Sequence, residues 1–206
     1  MSNGHISLIV YLDLKSAFDK IWGKGLIYKL VKSGIRGNIV KWLDNYFTDR
    51  KIQVRLDGHF SAEMDISAGT PQGAVCSPLL FNLMLADLPK HEEIEQYIYA
   101  NDITVVCTGQ SIDLLKHKMQ KFLNDFVLWT EKWGLEVNPN KTVIQVYARK
   151  RIGIPIIRLR GCVIENKKEH RLLIMIFDSP NLTWRSHIEY LRIDCMQWMK
   201  IMKVMA

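Results

Sequence analysis

The chain has 206 residues, of which 48% are hydrophobic, and it carries a formal net charge of +7. This length and composition predict one globular domain, or one domain with a small appendage, with a real hydrophobic core, and exclude a disordered or low-complexity chain. The excess of Lys and Arg favours a polyanionic partner, with nucleic acid as the first candidate and an acidic membrane surface as the second.

The sequence shows no sign of export or membrane insertion. The first residues, MSNGHISLIV, lack a signal-peptide pattern, and no apolar stretch approaches the roughly 20 residues that a bilayer span requires. The four cysteines lie far apart, without the paired spacing of a metal site. We therefore expect an intracellular protein, in the nucleus or cytoplasm, with no membrane partner.

The first half of the chain alternates between strand and helix patterns. ISLIVYLDL is apolar on both faces and predicts a buried strand over about residues 6–13, with a helix directly after it in KSAFDKIW. Helical spacing continues from Gly25 until SGIRG, and residues 39–47 form a second amphipathic helix. Period-two alternation around Asp57-Gly58 predicts a hairpin. Ser77 as N-cap and Pro78 at the first helical position predict a helix over about 78–88.

The second half begins with another hairpin pattern. In YIYANDITVV, at residues 97–106, two β-type runs flank a polar Ala-Asn-Asp step. Ser111 then opens a helix whose core stripe consists of Leu115, Met119, Phe122, Phe126, Trp129 and Trp133. A turn and a strand follow in GLEVNPNKTVIQVYA, then short β-type runs at 150–180 and a helix from about Thr183. This order predicts an α+β fold, with an antiparallel sheet and helices packed on one side.

Two carboxylates interrupt the apolar strand patterns, Asp13 at the end of the first strand and Asp102 at the hairpin turn. A buried carboxylate needs a donor, a cation or a metal, so for either residue alone an ion pair with a basic side chain remains an alternative. If the two strands are neighbours, however, Asp13 and Asp102 converge and can hold Mg²⁺ through oxygen ligands. A pair of such ions is the basis of two-metal catalysis in polymerases and nucleases.

Five segments, in the family's order, resemble the palm of a reverse transcriptase of the non-LTR retrotransposon kind. They are YLDLKSAFD, AGTPQGAVCSPLLFNLML, YIYAND, GLEVNPNKTVIQVY and RLLIMIFDSPNLTWRSHI. The resemblance implies a palm-like domain over residues 1–180, with the fingers largely missing, and the start of a thumb helix over 181–206. It implies an RNA-directed DNA polymerase that uses Mg²⁺ or Mn²⁺, as two ions, with an RNA template, a DNA primer and a dNTP.

The resemblance also assigns roles to individual residues. It implies that the catalytic residues are Asp13, Asp102 and Lys141, and that the metal ligands are Asp13, Leu14, Asn101 and Asp102. It also implies that the dNTP-binding residues are Phe18, Gln72 and Gly73, and that Tyr99 and Pro71 contact the primer or template. Alternative interpretations remain: Phe18 as a core ring, Lys141 as a solvated surface cation, and Tyr99 as a ring packed on the sheet.

Position 101 departs from the family pattern, because Asn stands where the family carries the first Asp of the hairpin pair. One unit charge at about 4 Å and an effective dielectric near 20 is worth on the order of 4 kcal/mol. We therefore predict severely reduced metal affinity and turnover, by roughly a thousandfold in rate. The alternatives are a catalytically inactive palm that binds RNA or an RNA-DNA hybrid through its basic surface, and a remnant without function.

Overall fold

The computed structural model describes residues 4–71 and 73–205, which form a mixed fold and confirm the predicted α+β class. The helices in these ranges are α1 (Gly23–Lys32), α2 (Asn38–Phe47), α3 (Ser77–Leu85), α4 (Ile112–Lys132) and α5 (Arg185–Met205). The strands are β1 (Ile6–Asp13), β2 (Arg50–Ile52), β3 (Arg55–Leu56), β4 (His59–Phe60), β5 (Met64–Ile66), β6 (Ile94–Tyr99), β7 (Asp102–Gly109), β8 (Val143–Tyr147), β9 (Arg158–Leu159), β10 (Cys162–Val163), β11 (Glu165–Asn166), β12 (Glu169–Leu172) and β13 (Met175–Asp178).

The chain divides into two compact units. The first, called here the sheet unit, comprises Met1–Asp13, Lys90–Asn124 and Asn138–Ala206. The second, called the helical unit, comprises Leu14–Pro89 and Asp125–Val137. The division falls within α4, so the first half of this helix belongs to the sheet unit.

The sheet unit is built on a five-stranded sheet in the order β11-β8-β1-β7-β6. Its strands pair antiparallel except for β11, which runs parallel to β8. Because side chains alternate along a strand, β1 presents the buried Leu8, Val10 and Leu12 on one face and Asp13 on the other. Leu115 of α4 lies against the apolar face, where a Cβ on Gly109 would be 3.1 Å from its side chain. The helix therefore covers the face opposite to Asp13.

The apolar stripe predicted for α4 is confirmed. Its six members are all buried, namely Leu115, Met119, Phe122, Phe126, Trp129 and Trp133. The hairpins predicted around Asp57-Gly58 and within residues 97–106 are also present, as the pairs β3–β4 and β6–β7. None of the helices in the described ranges has the length and apolar character that a membrane span needs.

The helix predicted directly after the first strand is wrong. Residues 15–20 form turns, and α1 begins only at Gly23. The Lys15 N–H donates to the Glu136 carbonyl at 2.8 Å, which draws this backbone into a strand-like pairing. Ser16 then adopts a φ of +47°, a left-handed conformation that cannot continue a helix.

The capping role predicted for Ser77 is also wrong, although α3 does begin there. The N-cap position is Cys76, and the Ser77 hydroxyl donates to the Pro71 carbonyl at 2.8 Å. Ser77 therefore anchors the preceding loop rather than the first turn of the helix.

Candidate active site

Asp13 and Asp102 lie directly opposite each other on neighbouring strands. The register of β1 and β7 pairs Asp13 with Asp102 and Tyr11 with Thr104. Directly opposite residues in an antiparallel pair project from the same face, with Cβ atoms about 5 Å apart. The predicted adjacency of the two strands is confirmed, and the two carboxylates share one end of the sheet.

The electrostatics of this pair favour a bound cation. Burial raises the pKa of the Asp102 carboxyl, and the nearby negative charge of Asp13 raises it further. A cation between the two carboxylates would relieve this repulsion, and oxygen ligands suit a hard dication. In residues 4–71 and 73–205, His, Cys, Asp and Glu form no cluster of three or more that could hold a metal. The two carboxylates are hard oxygen donors of the type that Mg²⁺ and Mn²⁺ prefer, although two fall short of such a cluster.

The β6–β7 hairpin places Asn101 beside this pair. Tyr99 pairs with Asp102, so Ala100 and Asn101 form the connecting loop. Ala100 has a φ of +51°, a conformation that strains a non-glycine residue by about 1–2 kcal/mol. Tyr99 projects from the same face as Asp102 and is 67% exposed, so its ring is not packed into the core.

A turn after α4 brings Lys141 to the same cleft. The Asn138 N–H donates to the Asp13 carbonyl at 2.8 Å, and the Thr142 hydroxyl donates to the Asn138 carbonyl at 2.8 Å. Asp13, Asp102 and the exposed Lys141 all line a cleft of about 260 Å³. The structure thus places a cationic side chain in the same cleft as the two carboxylates.

Two further residues line this cleft that sequence reasoning missed, His170 and Arg171 of β12. The His170 ring packs against the Tyr11 ring, with centroids 4.1 Å apart and planes tilted by 32°. Burial lowers the pKa of the imidazole, as does the nearby charge of Lys167. The Arg171 Nη2 donates to the Tyr190 hydroxyl at 3.3 Å. No sequence signal identifies either residue, because their place in the cleft depends on where the β12–β13 hairpin packs.

In the helical unit, the GTPQG loop folds back onto the turn after the first strand. The Gly69 N–H donates to the Ile21 carbonyl at 2.8 Å, and the Thr70 N–H donates to the Phe18 carbonyl at 2.9 Å. The Phe18 ring is half-buried, 4.8 Å from the Phe81 ring centroid. These hydrogen bonds hold the backbone at Phe18 and the start of the loop in a fixed position relative to each other.

The sequence matches the family described as reverse transcriptase (RNA-dependent DNA polymerase) over residues 2–193. The chain belongs to this reverse transcriptase family. It is 30% identical over 203 residues to the RNA-directed DNA polymerase from mobile element jockey of Drosophila funebris, covering 92% of this chain and 22% of the relative. It is 29% identical over 202 residues to the probable RNA-directed DNA polymerase from transposon BS of Drosophila melanogaster, covering 93% and 22%. The chain thus spans about a fifth of these relatives.

Two solved telomerase structures from Candida tropicalis share the fold. The apo telomerase truncated at its C-terminal domain is 13% identical, with a TM-score of 0.59 over 86% of this chain and 35% of that chain. The telomerase in complex with the TWJ fragment of telomeric RNA is 12% identical, with a TM-score of 0.60 over 86% of this chain and 29% of that chain. These similarities support the palm-type fold expected of a reverse transcriptase.

The predicted site residues of this reverse transcriptase family member fall into both units. The sheet unit brings together, around one end of its sheet, Asp13, Tyr99, Asn101, Asp102 and Lys141. The helical unit contains Leu14, Phe18, Pro71 and Gly73, of which Leu14 is buried and bridged to Val137. Gln72 lies outside the described residues. The individual roles remain predictions.

Proposed function

We propose that the chain is the palm of an RNA-directed DNA polymerase. In the proposed reaction, the primer 3′-hydroxyl attacks the α-phosphorus of a dNTP paired to an RNA template, and pyrophosphate leaves. The supporting observation is the register of Asp13 against Asp102 in a chain of the reverse transcriptase family. The fold supplies the opposed carboxylates that this chemistry requires.

The sheet unit would hold the reacting groups. Asp13 and Asp102 would bind Mg²⁺ or Mn²⁺, as two ions, with the Asn101 amide oxygen as a neutral ligand. When bound, the cations supply activation of the primer hydroxyl and neutralisation of the leaving pyrophosphate. The Lys141 ammonium would add positive charge at the pyrophosphate, and Tyr99 would contact the primer terminus.

The helical unit would contact the nucleotide and template. Phe18 would exclude a ribonucleotide by contact with its 2′-hydroxyl, while Gln72 and Gly73 would lie over the incoming dNTP. Glycine suits position 73 because, without a side chain, its backbone can approach a ligand closely. Pro71 would lie beside the template, and the Leu14 carbonyl would complete the metal coordination.

Metal binding tests this proposal without requiring turnover. We expect Mn²⁺ titration followed by electron paramagnetic resonance to show weak binding to the natural chain and none to Asp13→Ala. Asn101→Asp adds a carboxylate beside Asp102 and should tighten Mn²⁺ binding strongly. Asn45→Asp, at an exposed position of α2, makes the same charge change and serves as the matched control. Equal Mn²⁺ affinities for Asp13→Ala and the natural chain would disprove the metal site.

Primer extension on a homopolymer RNA template tests the chemistry itself. Restoring one charge at about 4 Å is worth up to about 4 kcal/mol, so Asn101→Asp should extend primers up to a thousandfold faster, whereas Asn45→Asp should not. If Asn101→Asp binds Mn²⁺ tightly but gives no extension when a fingers region is supplied in trans, the polymerase proposal fails.

Asn101 also favours a second candidate function, a palm that binds RNA or an RNA-DNA hybrid without chemistry. The residue removes a formal charge from the carboxylate site but leaves the basic surface unchanged. This function predicts hybrid affinity that falls steeply with salt, as phosphate contacts release counterions. Binding that is undetectable or insensitive to salt would exclude it.

A further inference from the structure

The half-buried Phe18 ring is supported by a ring from the interior of the helical unit. It packs on Phe81 of α3, with ring centroids 4.8 Å apart and planes tilted by 34°. Phe81 is fully buried, whereas Phe18 keeps part of its surface accessible to solvent. The Phe18 ring can therefore contact a ligand on its accessible side while Phe81 supports it from within.

The backbone at Phe18 is held independently of its ring. The Phe18 carbonyl accepts from the Thr70 N–H at 2.9 Å, which ties it to the GTPQG loop. The Asp19 N–H donates to the Ser16 carbonyl at 2.9 Å and closes the turn that contains Phe18. With the backbone fixed in this way, the position of the ring depends on its side-chain torsions and on the group behind it.

Phe81 is itself fixed by the core of the helical unit. It lies in α3, where its neighbours Leu80, Met84 and Leu85 are also buried. Because protein interiors are close-packed, a fully buried ring has few alternative positions. The Phe18 ring therefore cannot move inward while Phe81 occupies that space.

Exclusion of a ribonucleotide by contact requires a ring that cannot retreat. Forcing one extra group into a packed site disfavours binding by roughly 5- to 150-fold, and this penalty disappears if the site can widen. Given the proposed role of Phe18 at the nucleotide sugar, we propose that Phe81 is a positioning residue for sugar discrimination. It keeps the Phe18 ring from moving inward when a ribonucleotide brings its 2′-hydroxyl to the site.

Equilibrium nucleotide binding tests this proposal without turnover. The chain is mixed in Mn²⁺ with an RNA template annealed to a DNA primer whose 3′ end is blocked, and equilibrium dialysis gives the affinities for dCTP and CTP opposite a guanine. The readout is the ratio of the two affinities, because general damage to the fold weakens the binding of both nucleotides alike.

The test variant is Phe81→Leu, which removes the ring but leaves an apolar side chain. The matched control is Phe126→Leu, because Phe126 is also fully buried in the helical unit and packs near Trp129, with ring centroids 6.0 Å apart. We expect Phe81→Leu to lower the dCTP-to-CTP ratio by about fivefold or more, and Phe126→Leu by less than about twofold. Equal ratios for the two variants would overturn the proposal.

Phe18→Ala tests whether Phe81 acts through Phe18. This substitution alone should lower the ratio at least as far as Phe81→Leu does. In the Phe18→Ala background, Phe81→Leu should lower the ratio no further, because the effects of a residue and of the group that positions it do not add. If Phe81→Leu lowers the ratio by the same factor with and without the Phe18 ring, the proposal is overturned.

Fluorine NMR separates a failure of this proposal from a failure of the proposed function. Labelling the seven Phe with 4-fluorophenylalanine gives a Phe18 resonance, which is assigned by its loss in Phe18→Leu. Phe81→Leu should shift this resonance without any nucleotide present, and Phe126→Leu should not. An unmoved resonance would overturn the support of Phe18 by Phe81, whereas a shifted resonance in a chain that binds neither nucleotide would refute the proposed function and, with it, the role in discrimination.

Thermal unfolding checks that each variant folds. If Phe81→Leu does not fold, Phe81→Met retains most of the buried volume without a flat ring and replaces it. Phe81→Met should lower the dCTP-to-CTP ratio by about twofold or more. A ratio equal to that of the natural chain would overturn the proposal.

Discussion

Two glycines of the GTPQG loop offer a matched test of how this loop is held in place. Gly69 has a φ of +88° and Gly73 a φ of +84°, so both positions are unfavourable for any other residue. They differ in their surroundings. A Cβ on Gly69 would lie 2.7 Å from the carbonyl oxygen of Asp19, whereas a Cβ on Gly73 would meet nothing within 4 Å.

The difference in stability follows from that single contact. In both alanine variants the left-handed backbone costs about 1–2 kcal/mol, and reduced freedom of the unfolded chain offsets about 0.4–1 kcal/mol of it. Only Gly69→Ala adds steric overlap, at about 1–3 kcal/mol, because the atom it meets is backbone and cannot rotate away. We therefore expect Gly69→Ala to be less stable than Gly73→Ala by about 2 kcal/mol, or roughly 30-fold in the folding equilibrium.

Urea unfolding followed by tryptophan fluorescence measures this difference directly. The variants should share one m-value, so the separation of their midpoints reports the free energy of unfolding. Coincident midpoints for Gly69→Ala and Gly73→Ala would refute the close packing of the loop against residue 19.

Two further substitutions test the charge environment of each unit. Because burial and, to a smaller extent, the charge of Asp13 raise the pKa of Asp102 above its ordinary 3.8, ionisation of Asp102 destabilises the folded form as pH rises through that value. Asp13→Asn should raise the free energy of unfolding in EDTA at pH 7 by about 0.5–1 kcal/mol, and a gain that persists below pH 3.8 would contradict the reasoning. Lys29 is 5% exposed, with its ammonium 3.9 Å from the Trp133 ring centroid and bonded to the Met84 carbonyl. Lys29→Ala should lower the free energy of unfolding by about 3 kcal/mol, because it removes buried packing and the cation–π contact. Chemical denaturation measures this loss, and a similar loss for the exposed Lys32→Ala would contradict the explanation.

The local sequence pattern was sufficient to predict most helices and strands and to single out Asp13 and Asp102 as the central pair of the site. An apolar run predicted β1, two β-type runs around a polar step predicted the β6–β7 hairpin, and helical spacing identified the stripe of α4. The convergence of Asp13 and Asp102 followed once their two strands were taken as neighbours, and their register bears this out.

The features that sequence did not reveal depend on distant partners. The turn at residues 15–20 replaces a helix because Lys15 pairs with Glu136, a contact that no window around residue 15 contains. Ser77 binds the loop before it and not the helix after it. His170 reaches the cleft because its ring packs on Tyr11 of the first strand, which again requires tertiary structure.

The central position of β1 has a consequence for how the protein is made. This strand is synthesised before its two neighbours, β7 and β8, which begin only at Asp102 and Val143. Pairing across such long sequence separations closes large loops and slows folding. During synthesis, β1 must therefore stay unpaired until β7 has emerged, and Asp13 can meet Asp102 only then.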